Sequence, residues 1–112
     1  MEITTRTVQD VLHITVRGRL DTATAPAFTQ QCAELPQSND VLRVALDASG
    51  ITYISSAGIR SILKLGEHLK ASGRTLAVCG LTGMARSVFS MTGLDAIIPI
   101  HESLDAMLKK AP

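Results

Sequence analysis

The sequence predicts an α/β fold: a mainly parallel mixed β-sheet, opened by an antiparallel hairpin and covered by four helices, in the order β-β-α-β-α-β-α-β-α. Three observations carry that prediction. Two alternating segments open the chain with only two residues between them. Short, almost continuous apolar runs follow, of the kind found in strands covered on both faces. Amphipathic segments of helical period lie between those runs, and such alternation implies parallel strands joined by right-handed crossovers. With no internal repeat, low-complexity tract or linker, one domain is expected to fill residues 1–112.

Residues 2–8 and 11–17 alternate as half-buried strands. In the second, Leu12, Ile14 and Val16 share one face and His13, Thr15 and Arg17 the other, which places His13 in solvent. Gln9-Asp10 fits a tight turn, and Gly18 is expected to end the pair. Residues 22–35 read as a helix, with Thr24 as cap, Pro26 in the first turn, and Phe28, Cys32 and Leu35 on one face. A turn cluster occupies residues 36–40. Residues 41–46 form an apolar strand interrupted only by Arg43. Residues 55–71 give the clearest helix: Ile59, Ile62, Leu63, Gly66 and Leu69 form its stripe, and Arg60, Lys64, Glu67 and Lys70 turn away. Ser72-Gly73 stops it, and residues 75–79 form the next strand. Residues 82–92 form a helix closed by Gly93, with Leu94 making the apolar contact of a glycine C-cap. Residues 96–100 read as a last strand, which Pro99 confines to an edge, and residues 103–110 as a terminal helix with Leu104, Met107 and Leu108 inward.

Composition excludes several functions. Hydrophobic residues are 46% and charged ones 19% of the 112, which is the balance of a folded chain. Eleven Lys and Arg against ten Asp and Glu leave a formal charge of +1, without the basic excess that phosphate contacts require. Phe28, Tyr53 and Phe89 are the whole aromatic content, too little for a base-stacking platform, so no direct nucleic-acid binding is expected. Cys32 and Cys79 sit in apolar stretches and read as reduced, buried thiols. The N-terminal residues lack a basic and then apolar leader, and no apolar run approaches the roughly 20 residues of a membrane span. No membrane insertion and a cytoplasmic location follow as expectations.

Enzyme chemistry is equally sparse. The chain has no GxGxxG, no GxxxxGK[ST] and no GxSxG. His13, His68 and His101 fall in separate elements without metal-ligand spacing, so neither metal nor cofactor is expected, and the chain is not expected to be an enzyme. Asp47, after a central strand, stands where response-regulator receivers accept phosphate. The acidic pair and the Lys such a site needs are missing, since Val8-Gln9-Asp10 and His101-Glu102 occupy those places.

The informative stretch is residues 46–59. There a parallel strand is expected to end, a polar loop to cross the carboxyl edge of the sheet, and Ser55 and Ser56 to open a helix. Ligands meet open α/β sheets at that edge, and a helix N-terminus offers unpaired N–H groups and a partial positive charge. A phosphate on a serine there is favoured electrostatically, and small Ala57 and Gly58 leave it accessible. Taken alone, Ser55 reads first as an N-cap, worth roughly 1 kcal/mol.

These pieces together resemble the STAS domains, specifically the bacterial anti-sigma factor antagonists. The resemblance spans residues 3–108: Gly18-Arg19-Leu20-Asp21 followed by Thr24-Ala25, the segment 46–58, and Cys79-Gly80 with residues 88–94. It implies a phosphorylated serine two residues before the helix-opening glycine, which is Ser56. Two positions depart from the family pattern: Ser55 stands where Asp is usual and Ala57 where Ser or Thr is usual, so Ser55 becomes a rival acceptor. The implied mechanism is partner switching. The unphosphorylated chain binds an anti-sigma factor that is also an ATP-dependent serine kinase, phosphorylation releases it, and a metal-dependent serine phosphatase resets it. Asp21, Thr22, Thr24, Ser55, Ser56, Ala57, Gly58, Arg60 and Lys64 are the expected docking positions. An alternative is a STAS subunit of a lipid-transport ABC system, docking onto an ATPase without phosphorylation. A hydrolase built on Ser56 is disfavoured, because no base is placed to activate that hydroxyl.

Overall fold

The computed structural model describes residues 1–35 and 42–109. Its elements are β1 (Glu2–Val8), β2 (Val11–Leu20), α1 (Ala25–Ala33), β3 (Arg43–Ile54), α2 (Ser56–Ala71), β4 (Thr75–Cys79), α3 (Gly83–Met91), a 3-10 turn (Leu94–Ala96), β5 (Ile100–His101) and α4 (Leu104–Leu108). The five strands lie in the order β1-β2-β3-β4-β5. Only β1 and β2 are antiparallel, and every other neighbouring pair is parallel. This is the predicted α/β architecture. The turn cluster at 36–40, Val41 and Lys110 lie outside the described residues.

Strand periodicity sorts the core into two layers. Ile14, Val16, Val44, Leu46, Leu76 and Val78 point to one face, where they meet Phe28 and Cys32 of α1, Ile59, Ile62 and Leu65 of α2, and Ala85 and Phe89 of α3. Val11, Ala45, Ala77 and Cys79 point to the other face and pack against Met107, Leu104 and Leu108 of α4. Both faces of β2, β3 and β4 are therefore covered, which is why residues 44–46 of β3 and all of β4 read as nearly continuous apolar runs.

Several expectations need correction. Gly18 ends only the hairpin ladder, which stops at Glu2 opposite Arg17. The strand itself continues to Leu20 against β3, through register shifts that Gly18 accommodates at φ 103°. Residues 47–54 are not a polar loop but the second half of β3. They find their ladder partners in that extension of β2: Arg17 pairs with Gly50, Gly18 with Ile51, Arg19 with Tyr53 and Leu20 with Ile54. The first helix begins at Ala25 rather than residue 22, because Asp21 and Thr24 fold the intervening residues into a turn. Of residues 96–100, only Ile100 lies in a strand. Gly93, at φ 72°, leads into the 3-10 turn, and pairing with β4 begins only at Ile100. That last strand does lie at the sheet edge.

His13 is the clearest departure, being buried rather than solvated. It sits on the α4 side of the sheet, where Arg6 Nε donates to its Nδ1 at 3.2 Å and its Nε2 lies 3.0 Å from Asp47 Oδ2. With Nδ1 accepting, the ring proton resides on Nε2 and is donated to the carboxylate. Asp47 Oδ1 also accepts from the Ser49 hydroxyl at 2.7 Å and from Ser49 N at 3.0 Å. Desolvation opposes ionisation of Asp47, but these bonds from Ser49 and His13 together hold its carboxyl below the usual range. Both cysteines are free and buried as expected; burial pushes the Cys32 thiol up to about 12, and burial with the Asp47 charge pushes Cys79 up to about 11.

Candidate functional site

The ladder between β3 and β4 ends where Asp47 pairs with Cys79, but β2 and β3 run on together to Leu20 and Ile54. This overhang brings the β2–α1 turn and the start of α2 side by side, tied by Ser55 N donating to Leu20 O at 3.0 Å. Residues 35 positions apart in sequence thus share one corner of the molecule.

In the turn, the Asp21 backbone carbonyl accepts from Ala25 N at 2.8 Å and Thr24 N at 3.2 Å. Its Oδ1 accepts from Ala23 N at 3.1 Å and from Thr24 N at 3.2 Å. Thr24 occupies the expected cap position, yet its hydroxyl makes no cap bond to α1. Instead it accepts from Asp21 N at 2.9 Å and donates to Arg19 O at 2.8 Å, locking the turn from within. Arg19 Nε reaches Asp21 Oδ2 at 3.3 Å while its guanidinium lies 4.3 Å from the centre of the Tyr53 ring. Desolvation raises the Asp21 carboxyl, but the bonds from Arg19, Thr24 and Ala23 outweigh it and hold the group below the usual range. Asp21 and Thr24 are therefore the framework of the turn, and exposed Thr22 is its tip.

The two serines have different tasks. Ser55 is the N-cap of α2: its backbone is extended, and its Oγ accepts from Gly58 N at 3.3 Å. Ser56 is the first residue of the helix, is exposed, and its hydroxyl has no partner among the described residues. Gly58 is buried, so it belongs to the support of the site and not to its surface. A Cβ there would lie 2.4 Å from Leu20 O and 3.0 Å from Ile54 Cγ1, so the missing side chain is what lets α2 start against the end of β2. Behind it, Ser61 is buried and donates from Oγ to Gly58 O at 2.6 Å.

Arg60 and Lys64 are exposed on α2 and have no partner among the described residues. Together with Ala57 they form one wall of a groove of about 520 Å³ between α1 and α2, with Thr22, Pro26 and Thr29 opposite. Of the expected docking positions, the structure thus gathers Thr22, Ser56, Ala57, Arg60 and Lys64 as surface, and Asp21, Thr24, Ser55 and Gly58 as their scaffold. Sequence reasoning missed Arg19 with Tyr53, and Ser61. The first pair becomes visible only once the register shift at Gly18 sets Arg19 opposite Tyr53. Among the described residues no group of three or more His, Cys, Asp or Glu could hold a metal ion, and no helix is long and apolar enough to cross a membrane.

Known proteins share both sequence and architecture with this chain. BtrV of Bordetella bronchiseptica, named as an anti-sigma factor antagonist, is 29% identical over 106 residues, covering 95% of this chain and 90% of that protein. The crystal structure of an anti-sigma factor antagonist from Mycobacterium paratuberculosis superposes with a TM-score of 0.81 at 26% identity, over 96% of this chain and 90% of that one. The anti-sigma factor antagonist SpoIIAA, in its unphosphorylated form, shares the fold with a TM-score of 0.69 at 13% identity, over 96% of this chain and 94% of that one. The STAS domain family matches residues 2–107, and with nearly the whole sequence inside that match the chain belongs to the STAS domain family.

Proposed function

We propose that the chain is an anti-sigma factor antagonist, a binding protein switched by phosphorylation at Ser56. Its unphosphorylated corner of Thr22, Ser56, Ala57, Arg60 and Lys64 binds an anti-sigma factor that is also an ATP-dependent serine kinase, and so frees a sigma factor. The kinase transfers a phosphoryl group to the Ser56 hydroxyl, the complex dissociates, and a serine phosphatase restores the free hydroxyl. The names of the relatives in two bacterial genera support the class of partner. One observation carries the choice of acceptor: Ser55 is committed to capping α2, whereas the adjacent Ser56 hydroxyl is exposed and unengaged among the described residues.

The physical basis of the switch is charge. A phosphate adds about −1.5 to −2 at neutral pH, enough to reverse the formal +1 of the whole chain. Placed in a contact surface it brings repulsion and desolvation, and even about 3 kcal/mol lowers affinity roughly a hundredfold. No base meets the Ser56 hydroxyl among the described residues, so in this reading the kinase supplies the chemistry of phosphoryl transfer. The Ser49–Asp47–His13 cluster is not a nucleophilic triad either, because Asp47 stands between the hydroxyl and the imidazole.

Affinity capture with the purified chain tests the proposal. A serine kinase of the anti-sigma type is expected in the eluate, with Ser56→Asp losing it and Ser56→Ala retaining it without release on addition of ATP. Capture of a membrane-transport ATPase instead, or equal retention by Ser56→Asp, contradicts the proposal.

A further inference from the structure

We infer that Arg60 is the intramolecular counter-ion of a phosphate on Ser56, so that phosphorylation both adds an anion next to the groove-lining Ala57 and removes a cation from the wall of the α1–α2 groove. The inference rests on Ser56 as acceptor and concerns what the phosphorylated chain does next.

Geometry points to the pair. Ser56 and Arg60 are four residues apart in the same 16-residue helix, about 6 Å along its axis and about 40° around it. Helical side chains lean toward the N-terminus, so the long Arg60 side chain extends over the turn that Ser56 opens. Both are exposed, and neither has a partner among the described residues, so no existing interaction must break for them to meet. A guanidinium matches a phosphate in shape as well as charge, offering paired N–H donors to two oxygens. Ser55 lacks this relation: it lies five residues before Arg60, about 140° around the helix, and its oxygen is engaged with Gly58 N.

The surrounding charges leave Arg60 as the first cation in reach. Lys64 lies one turn further on, about 12 Å along the axis from Ser56. Arg19, on the neighbouring turn, is paired with Asp21 and stacked over Tyr53. In the groove, Arg60 and Lys64 share the wall with Ala57 and Ser61, and the lining contains no acidic residue. An acidic segment of a partner is therefore attracted to this wall before phosphorylation, and it loses Arg60 when the phosphate claims it.

The test installs phosphoserine at position 56 of the full chain by genetic encoding, without any kinase, and follows the ³¹P resonance through a pH titration. The second phosphate ionisation is expected about 0.3–0.7 pH units lower in the parent than in Arg60→Gln, the range exposed ion pairs support. Arg60→Lys is expected to fall between them, and 1 M salt to remove most of the difference. The helix N-terminus acts equally in all three chains, so it cancels. Identical titrations in the parent and Arg60→Gln, with both folded by circular dichroism, overturn the inference. Because the phosphate is placed synthetically, a finding that cells phosphorylate another residue defeats the proposed function and leaves this measurement standing on its own.

Discussion

Replacing Gly58 by Ala is the sharpest structural perturbation of the site. The new methyl would sit 2.4 Å from the Leu20 carbonyl oxygen, a backbone atom that cannot rotate away, and 3.0 Å from Leu20 Cγ and Ile54 Cγ1. The start of α2 must then move off the end of β2, stretching the bond from Ser55 N to Leu20 O. Overpacking costs about 1–3 kcal/mol, about 2–3 where the clash is with backbone this close, and alanine regains up to about 1 kcal/mol of helix propensity, for a net loss of about 1–2 kcal/mol. At about 4–8 °C per kcal/mol for a domain of this size, Tm falls by about 5–15 °C. Gly66→Ala is the control in the same helix. Its methyl would meet Leu76 Cδ2 at 3.7 Å and Ile98 Cδ1 at 3.8 Å, ordinary contacts, so it should be neutral or raise stability by up to about 1 kcal/mol. Thermal unfolding followed by circular dichroism measures both. A Gly58→Ala chain that unfolds at or above the parent temperature, or a Gly66→Ala chain that loses more, refutes the close approach of α2 to β2.

Three further outcomes follow from named groups. Ser55→Ala removes the N-cap, whose bond is long at 3.3 Å, and should cost about 0.5–1 kcal/mol in chemical denaturation while leaving Ser56 able to accept phosphate. Asp47 has its carboxyl held low in the folded state, so its contribution is complete above the unfolded value of about 3.9 and disappears as pH falls through the lower folded value. Tm should therefore drop as pH falls below about 4, less steeply in Asp47→Asn, and parallel curves for the two chains would contradict the His13–Asp47–Ser49 network. Cys32 and Cys79, raised to about 12 and about 11 by burial, should react with a disulfide reagent at pH 7.4 only at the rate of opening, and fully in guanidinium. Rapid modification of the native chain would show the core to be open there.

The limits of sequence reasoning here are physical. β1 and β4 carry their own signals, in strict alternation and in a short apolar run bounded by Arg74 and Gly80, and they fall where expected. The polar outer face of α2 was legible for the same reason, since Arg60, Lys64, Glu67 and Lys70 are all exposed. Residues 47–54 were not legible, because Asp47, Ser49, Gly50 and Thr52 are turn formers locally and become strand only through the distant extension of β2. His13 misled in the opposite way. Alternation suggested a solvated face, but α4, more than 90 residues away, covers that side of the sheet around it. At the site, spacing placed the serine pair at the start of α2 and Arg60 and Lys64 on its outer face, while their expected roles came from the resemblance to the STAS domains. The division of labour between Ser55 and Ser56, and the buried role of Gly58, required the contact with Leu20.

The central claim is that Ser56 is the switch. Tandem mass spectrometry of the chain after incubation with ATP and the kinase it captures tests this most directly. The account predicts one phosphate, on Ser56, whose appearance coincides with release of the kinase. Phosphate on Ser55 alone, or release without phosphate on either serine, would contradict it.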